Sequence, residues 1–422
     1  MSQQEPKATT GATEQGAERT LDPVSGLIHH PYRPPGGFES VLPGVHKAST
    51  VYFPDVKALR TRDWRHKEGY TYGLHGTPTT FTLEERIAHL EGARHCVLAP
   101  SGLSALALVN LALLKPGDEV LLPDNVYGPS KELARTMLAD WGVAHRVYNP
   151  MDPASALASM GPSTRLMWVE APGSVTMEFP DLRALVRDAR SRGITVALDN
   201  TWGAGLAFKP FDLAHGMDGR ADQPLAVDVC MHALTKYPSG GGDVLMGSIT
   251  TVDRRLHEKL LMAHMRLGVG VGANDVEAVL RSLPSIELRY DAQDRAAREL
   301  ASWLAVQHGV AQVLHPALPG SPGHAHWASL CTRAAGIFSI LLDEQLPAIA
   351  ADAFVDALRL FRIGYSWAGP VSLVVPYALD AMRQDCSHLR GHLVRLCIGL
   401  EAVDDLKADL AQALSVMHDH HA

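Results

Sequence analysis

From residue 81 to residue 246, short apolar runs rich in β-branched side chains alternate with segments long enough to be helices. This alternation constrains the fold more than any other feature of the chain. Thr82 with Glu85 resembles a capping box opening a helix through Leu90. Residues 95–99, 119–122, 145–148, 166–169 and 194–198 read as strands, with helices over 103–114, 129–141 and 182–190 between them. Strands alternating with helices of this length imply a mostly parallel sheet covered on both faces. No internal repeat is visible.

Two strands of this series end on charged groups. The run Ile194, Thr195, Val196, Ala197, Leu198 stops at Asp199, and a second run (Val227, Val229, Met231) leads through His232, Ala233 and Leu234 to Thr235, Lys236 and Tyr237 before the loop Gly240-Gly241-Gly242. In open α/β sheets ligands bind at the carboxyl edge of the strands. A lysine desolvated at such an edge is a neutral amine, able to condense with an aldehyde or to remove a proton. A carboxylate and a lysine projecting together suit pyridoxal phosphate (PLP), whose pyridinium nitrogen needs an anionic partner and whose aldehyde needs an amine.

Composition narrows the alternatives. With 422 residues, 46% hydrophobic and 20% charged, the chain has the make-up of a soluble enzyme with more than one core. A net charge of -8 and the lack of any basic block argue against nucleic acid as a partner. Five cysteines without C-x-x-C spacing argue for reduced thiols and against a metal site. No run approaches the length of a membrane helix and no signal sequence is evident, so a cytoplasmic location is expected.

The chain reads as four regions. Residues 1–22 have the composition of a flexible tail, and 23–80, broken by Pro31, Pro34, Pro35, Pro43 and Pro54, that of an arm that lies on a neighbouring subunit. Residues 81–283 form the large α/β domain, in which 210–224 is a surface insertion. Helices over 252–265, 274–283 and 287–307 lead into a C-terminal α+β domain, 284–422, with strands at 337–342 and 394–398 and helices at 346–358 and 403–416. His418, His420 and His421 at the end read as a tail, because nothing fixes their geometry for a metal.

Together, Thr235-Lys236-Tyr237, Asp199-Asn200-Thr201-Trp202, Tyr72-Gly73 followed by Gly76-Thr77-Pro78-Thr79, Leu90-Glu91-Gly92, Ser101-Gly102, and Arg395 in Leu393-Val394-Arg395-Leu396-Cys397 resemble the PLP-dependent enzymes of cysteine and methionine metabolism. The resemblance runs from about Gly26 to Leu414. It implies the aspartate-aminotransferase-like fold, with a seven-stranded, mostly parallel sheet and a smaller C-terminal α+β domain. It also implies a homotetramer built from dimers that share active sites. Lys236 would hold PLP as a Schiff base, Asp199 would pair with the pyridinium, and Tyr127 would stack on the ring. Ser101, Gly102 and Leu103, where a strand gives way to a helix, would hold the phosphate, with a hydroxyl from Thr235 and with Tyr72 reaching in from the neighbouring subunit. Arg395 would bind the α-carboxylate of an amino-acid substrate as a bidentate fork, and Ser366, Trp367 and Tyr72 would wall it in.

Two positions depart from the family pattern. Leu74 stands where the family usually has a phosphate-binding arginine, and Ala233 where it often has a serine; Tyr72 and His75 are the expected substitute donors. The stretch Glu170-Ala171-Pro172-Gly173-Ser174 looks like the β-lyase branch. The implied activity is therefore a carbon–sulfur lyase that splits L-cystathionine to L-homocysteine, pyruvate and ammonia in methionine biosynthesis. The alternative is a γ-acting member: a γ-synthase, γ-lyase or acylhomoserine sulfhydrylase. A dinucleotide-dependent dehydrogenase does not fit, because Gly268-Val269-Gly270-Val271-Gly272 lacks the G-x-G-x-x-G spacing and follows no clear strand.

Overall fold

The computed structural model describes residues 37, 40–214, 225–386 and 388–419. The tail 1–22, most of the 210–224 insertion, and His420 and His421 lie outside the described residues. Contacts divide the chain into units 1–41 and 42–422, and both sheets belong to the second.

Seven strands form the first sheet: β1 His95–Ala99, β2 Glu119–Pro123, β3 Ala144–Tyr148, β4 Thr164–Glu170, β5 Thr195–Asp199, β6 Val229–His232 and β7 Gly247–Thr251. Their order is β1-β7-β6-β5-β4-β2-β3. Only β7 runs against its neighbours, pairing antiparallel with both β1 and β6. The other pairs are parallel, so β1, β4, β5 and β6 all end at one edge. β5 shows why both faces are apolar: Val196 and Leu198 enter one core, with the helices Pro78–Glu91, Leu182–Ser191 and Ala273–Ser282, while Ala197 enters the other, with Gly102–Leu113 and Arg254–Leu267. The helix Ile286–Leu304 then leads to the second sheet, β8 Val310–Leu314, β9 Ile337–Leu342, β10 Arg362–Ile363, β11 Leu373–Tyr377 and β12 His392–Cys397, in the order β10-β11-β12-β9-β8.

The structure corrects the first helix start. It begins at Pro78, and the capping box is made by Thr77 and Thr80 rather than by Thr82 and Glu85. Thr77 accepts from the Thr80 amide, and a proline in the first turn has no N–H to lose there. The helix read over 129–141 starts at Gly128 and widens into a π turn at Ala134–Leu138. β11 escaped the sequence reading because it contains Pro376. A proline is tolerated there because β10 pairs only with Leu373 and Val374, leaving Pro376 on an open edge. The helices Val56–Arg60, Pro153–Ser159 and His324–Leu330, and the strands β7, β8 and β10, also had no counterpart in that reading.

Candidate active site

The shared edge collects the charged groups. Glu170 closes β4 and Asp199 closes β5 in direct register. Lys236 follows β6 by four residues, and Ser101-Gly102 follows β1. A Cβ at Gly102 would lie 2.8 Å from the Cβ of Ala233, so the start of helix Gly102–Leu113 packs directly against the lysine loop. Ser101 caps that helix, its hydroxyl accepting from the Ser104 amide at 3.0 Å, while Leu103 is partly exposed.

Lys236 Nζ donates to Ser366 Oγ at 2.7 Å and lies 5.7 Å from the centre of the Trp367 ring. Burial first, and the Arg395 guanidinium second, bring its pKa down to about 8. The amine is thus much closer to its reactive neutral form near neutral pH than an exposed lysine is.

Asp199 is buried, with Oδ1 accepting from the Thr201 amide at 3.0 Å and the Thr201 hydroxyl at 2.6 Å. The same hydroxyl accepts from the Ala233 amide at 3.0 Å, tying the aspartate to the lysine loop. Burial raises the Asp199 pKa against these two donors. Glu170 is raised further, by burial and then by the neighbouring Asp199, with only the Tyr127 amide, at 2.7 Å, bonded to it. Of the two carboxyls, Asp199 is therefore the better placed to keep a negative charge.

Arg395 on β12 is buried, and its Nε has no hydrogen-bond partner. Its Nη2 reaches the Ser366 carbonyl at 3.4 Å, and its guanidinium lies 5.3 Å from the centre of the Tyr377 ring. Ser366 and Ala368 hold positive φ angles of 103° and 65°, unusual for residues with a Cβ and typical of functional loops.

Lys236, Asp199, Arg395, Ser366, Trp367 and Tyr127 thus converge, with Ser101, Gly102, Leu103 and Thr235 beside them. The Thr235 hydroxyl is already engaged twice by Met246, accepting from its amide at 3.0 Å and donating to its carbonyl at 3.2 Å. Tyr72 stands elsewhere in the chain, bridged to Thr50 and edge-on to the His75 ring at 5.8 Å. His75 Nδ1 shares a hydrogen bond with Thr71 Oγ1 at 2.6 Å, and burial, then Arg62, lower its pKa. Sequence reasoning passed over Glu170 and Thr201, quoted only as parts of motifs, and Tyr377, which has no local signal.

The loop bearing Tyr127 is anchored by a buried ionic group. Arg383, between β11 and β12, bonds Asp124 at 2.9 Å and Glu178 at 2.7 Å, and Asn125 donates to Glu178 at 3.0 Å. Burial works against both carboxylates, but Arg383 together with the Gln384 amide and Lys131 at Asp124, and with His388 and Asn125 at Glu178, holds their pKa values below the ordinary range. Their contribution to stability is present above that range and is lost as pH falls through the lowered values. Arg383→Met is expected to cost about 3 kcal/mol at neutral pH, because it removes the cation shared by two buried carboxylates and leaves Asp124 only Lys131 and Glu178 only His388 as basic partners. Urea denaturation of the two proteins measures it; a cost below about 1 kcal/mol refutes it.

The site meets the requirements of PLP. Asp199 has Oδ2 left for a cationic ring nitrogen, the Gly102 backbone is bare, and Arg395 keeps a guanidinium nitrogen without a hydrogen-bond partner. A family described as "Cys/Met metabolism PLP-dependent enzyme" matches residues 25–415. The chain is 38% identical to the cystathionine β-lyase of Bordetella avium, covering 93% of this chain and 97% of that protein. It is 35% identical to the cystathionine β-lyase MetC of Escherichia coli K12, covering 87% and 91% respectively. Among solved structures, the cystathionine γ-synthase of Xanthomonas oryzae in complex with cystathionine superposes with a TM-score of 0.80 at 28% identity, over 90% of this chain and 94% of that one.

Proposed function

The chain belongs to the PLP-dependent enzymes of cysteine and methionine metabolism, and from that premise we propose that it is a cystathionine β-lyase. It cleaves the Cβ–S bond of L-cystathionine, with uptake of one water, to give L-homocysteine, pyruvate and ammonia. The observation that carries this reading is the meeting of a pKa-lowered lysine, a buried aspartate and an under-bonded arginine at one sheet edge. Its likeness to two β-lyases over most of their length supports β over γ chemistry.

Lys236 would bind PLP covalently, Asp199 would face its ring nitrogen, Tyr127 would cover its ring, and the Ser101–Leu103 turn and Thr235 would lie at its phosphate. When bound, PLP supplies the sink for the electron pair left at Cα. Arg395 grips the α-carboxylate and turns the Cα–H bond toward Nζ of Lys236. Nζ, released in its neutral form, takes that proton, and Ser366 Oγ holds the amine on line. The proton on Nζ is then available to the departing sulfur. Trp367 screens the amine from water on one side. Tyr72, on its loop away from this cleft, would serve the site of a partner subunit in a homotetramer. The protein would work in the cytoplasm; among the described residues no helix is long and apolar enough to cross a membrane.

Incubation of the purified holoenzyme with cystathionine tests the activity. Pyruvate is the expected keto acid; 2-oxobutanoate would place the chain among the γ-acting enzymes. Arg395→Lys should raise KM about 10- to 100-fold with PLP affinity unchanged, since a lost charge-assisted contact costs about 1.5–3 kcal/mol. A KM within about two-fold of wild type would move the carboxylate site elsewhere.

A further inference from the structure

We propose that Tyr377 is a positioning residue for substrate binding: its ring sets the plane of the Arg395 guanidinium, and it is therefore a determinant of affinity for the α-carboxylate. The inference rests on the assignment of Arg395 to that carboxylate. Val375 pairs with Arg395, and Tyr377 with Leu393, across β11 and β12. Side chains two apart on a strand share a face, so Tyr377 lies diagonal to Arg395, within reach of a long side chain. The reach is realised, with Arg395 Cζ 5.3 Å from the Tyr377 ring centre.

What else holds Arg395 is weak. Nε is buried without a partner, the bond from Nη2 to the Ser366 carbonyl is long, at 3.4 Å, and the other contact is with the weakly bonding thiol of Cys397. No salt bridge to Arg395 occurs among the described residues, whereas Arg383, also buried, has two carboxylates. A guanidinium left free to turn must be ordered by each substrate that binds it, which raises KM without touching the later chemistry. A half-buried aromatic face removes that cost through a cation–π contact while leaving the nitrogens of the fork open for a carboxylate. The hydroxyl has no part in this, so the ring alone is required. Tyr377 in turn meets the exposed Tyr365 edge-on at 6.5 Å, a second contact that restrains its ring.

The test uses holoenzyme of wild type, Tyr377→Leu, Tyr377→Phe, Arg395→Ala and the Tyr377→Leu/Arg395→Ala double variant. Readouts are KM and kcat for cystathionine, the equilibrium PLP affinity of each apo form, and the dissociation constant of glycine. Glycine carries the carboxylate and has no Cβ to eliminate from; its binding is followed through cofactor absorbance. Tyr377→Leu is expected to raise KM and the glycine constant roughly ten-fold, and Tyr377→Phe less than about two-fold, with kcat and PLP affinity unchanged. In the Arg395→Ala background Tyr377→Leu should add less than about two-fold, because the residue acts through that arginine. Additive effects, a Phe variant as weak as the Leu variant, an unchanged KM, or a Leu variant that no longer retains PLP would each overturn the inference. An Arg395→Ala protein that binds glycine as tightly as wild type would instead overturn the carboxylate reading beneath it, so the two failures are told apart.

Discussion

Lys236→Ala is expected to lose at least about 10³-fold in kcat for cystathionine while remaining folded. A positioned acid–base group contributes about 10²–10⁴-fold by itself, and here the same nitrogen also anchors the cofactor. The physical basis is the amine's environment, in which burial and Arg395 bring the pKa to about 8. Because that value is lowered, Nζ is protonated and inert toward an aldehyde below about pH 8 and neutral above it. Capture of added PLP by the wild-type apoprotein should accordingly accelerate as pH rises through about 8, rather than through the ordinary lysine range near 10.4. Borohydride reduction of the loaded wild type followed by peptide mapping should place the label on Lys236. A label elsewhere, or an Ala variant within about ten-fold of wild-type kcat, would disprove the assignment.

Asp199→Asn should weaken PLP binding by about 10²–10³-fold, and it should lower kcat as well. Asp199 is buried, so replacing its charge with an amide leaves a pyridinium without a counter-ion in a poorly solvated place, a change of about 3–4 kcal/mol. Glu170 does not rescue it: it stands in register with Asp199, but its one bonded donor is the Tyr127 amide. Glu170→Gln, which keeps an acceptor for that amide, should leave PLP affinity within about three-fold of wild type. Equilibrium titration of the apo variants with PLP gives both values. Equal losses at the two positions would mean that the pair, and not Asp199 alone, carries the charge.

The parts of the molecule visible in the sequence are those where a local signal and its structural consequence lie within a few residues. Asp199 and Lys236 were legible because an apolar strand stops at the first and shortly before the second, and parallel pairing sends both stops to the same edge. The helix opening at Pro78 was misplaced by five residues because two threonine-headed patterns overlap, and proline at the first helical position decided between them. β11 and β10 were missed because one contains a proline and the other has two residues, too few for periodicity to register. Tyr377 was invisible for a different reason. Its meaning depends on the register of β11 against β12, a relation between segments that no window along the chain contains.

The Arg383 group reaches much farther along the chain, 259 residues to Asp124 and 205 to Glu178, and this bears on how the protein can be recombined. Its guanidinium sits between β11 and β12, yet its two anions, Asp124 and Glu178, flank the strand β4 far upstream. A chimera that joins residues 1–283 of this chain to the C-terminal portion of a relative would inherit the anions and not necessarily the cation. Such a crossover would cut through one electrostatic unit even though it breaks no strand and no α-helix. Exchanges that carry position 383 together with 124 and 178 keep charge balance across the joint, and libraries of hybrids should be enriched in them.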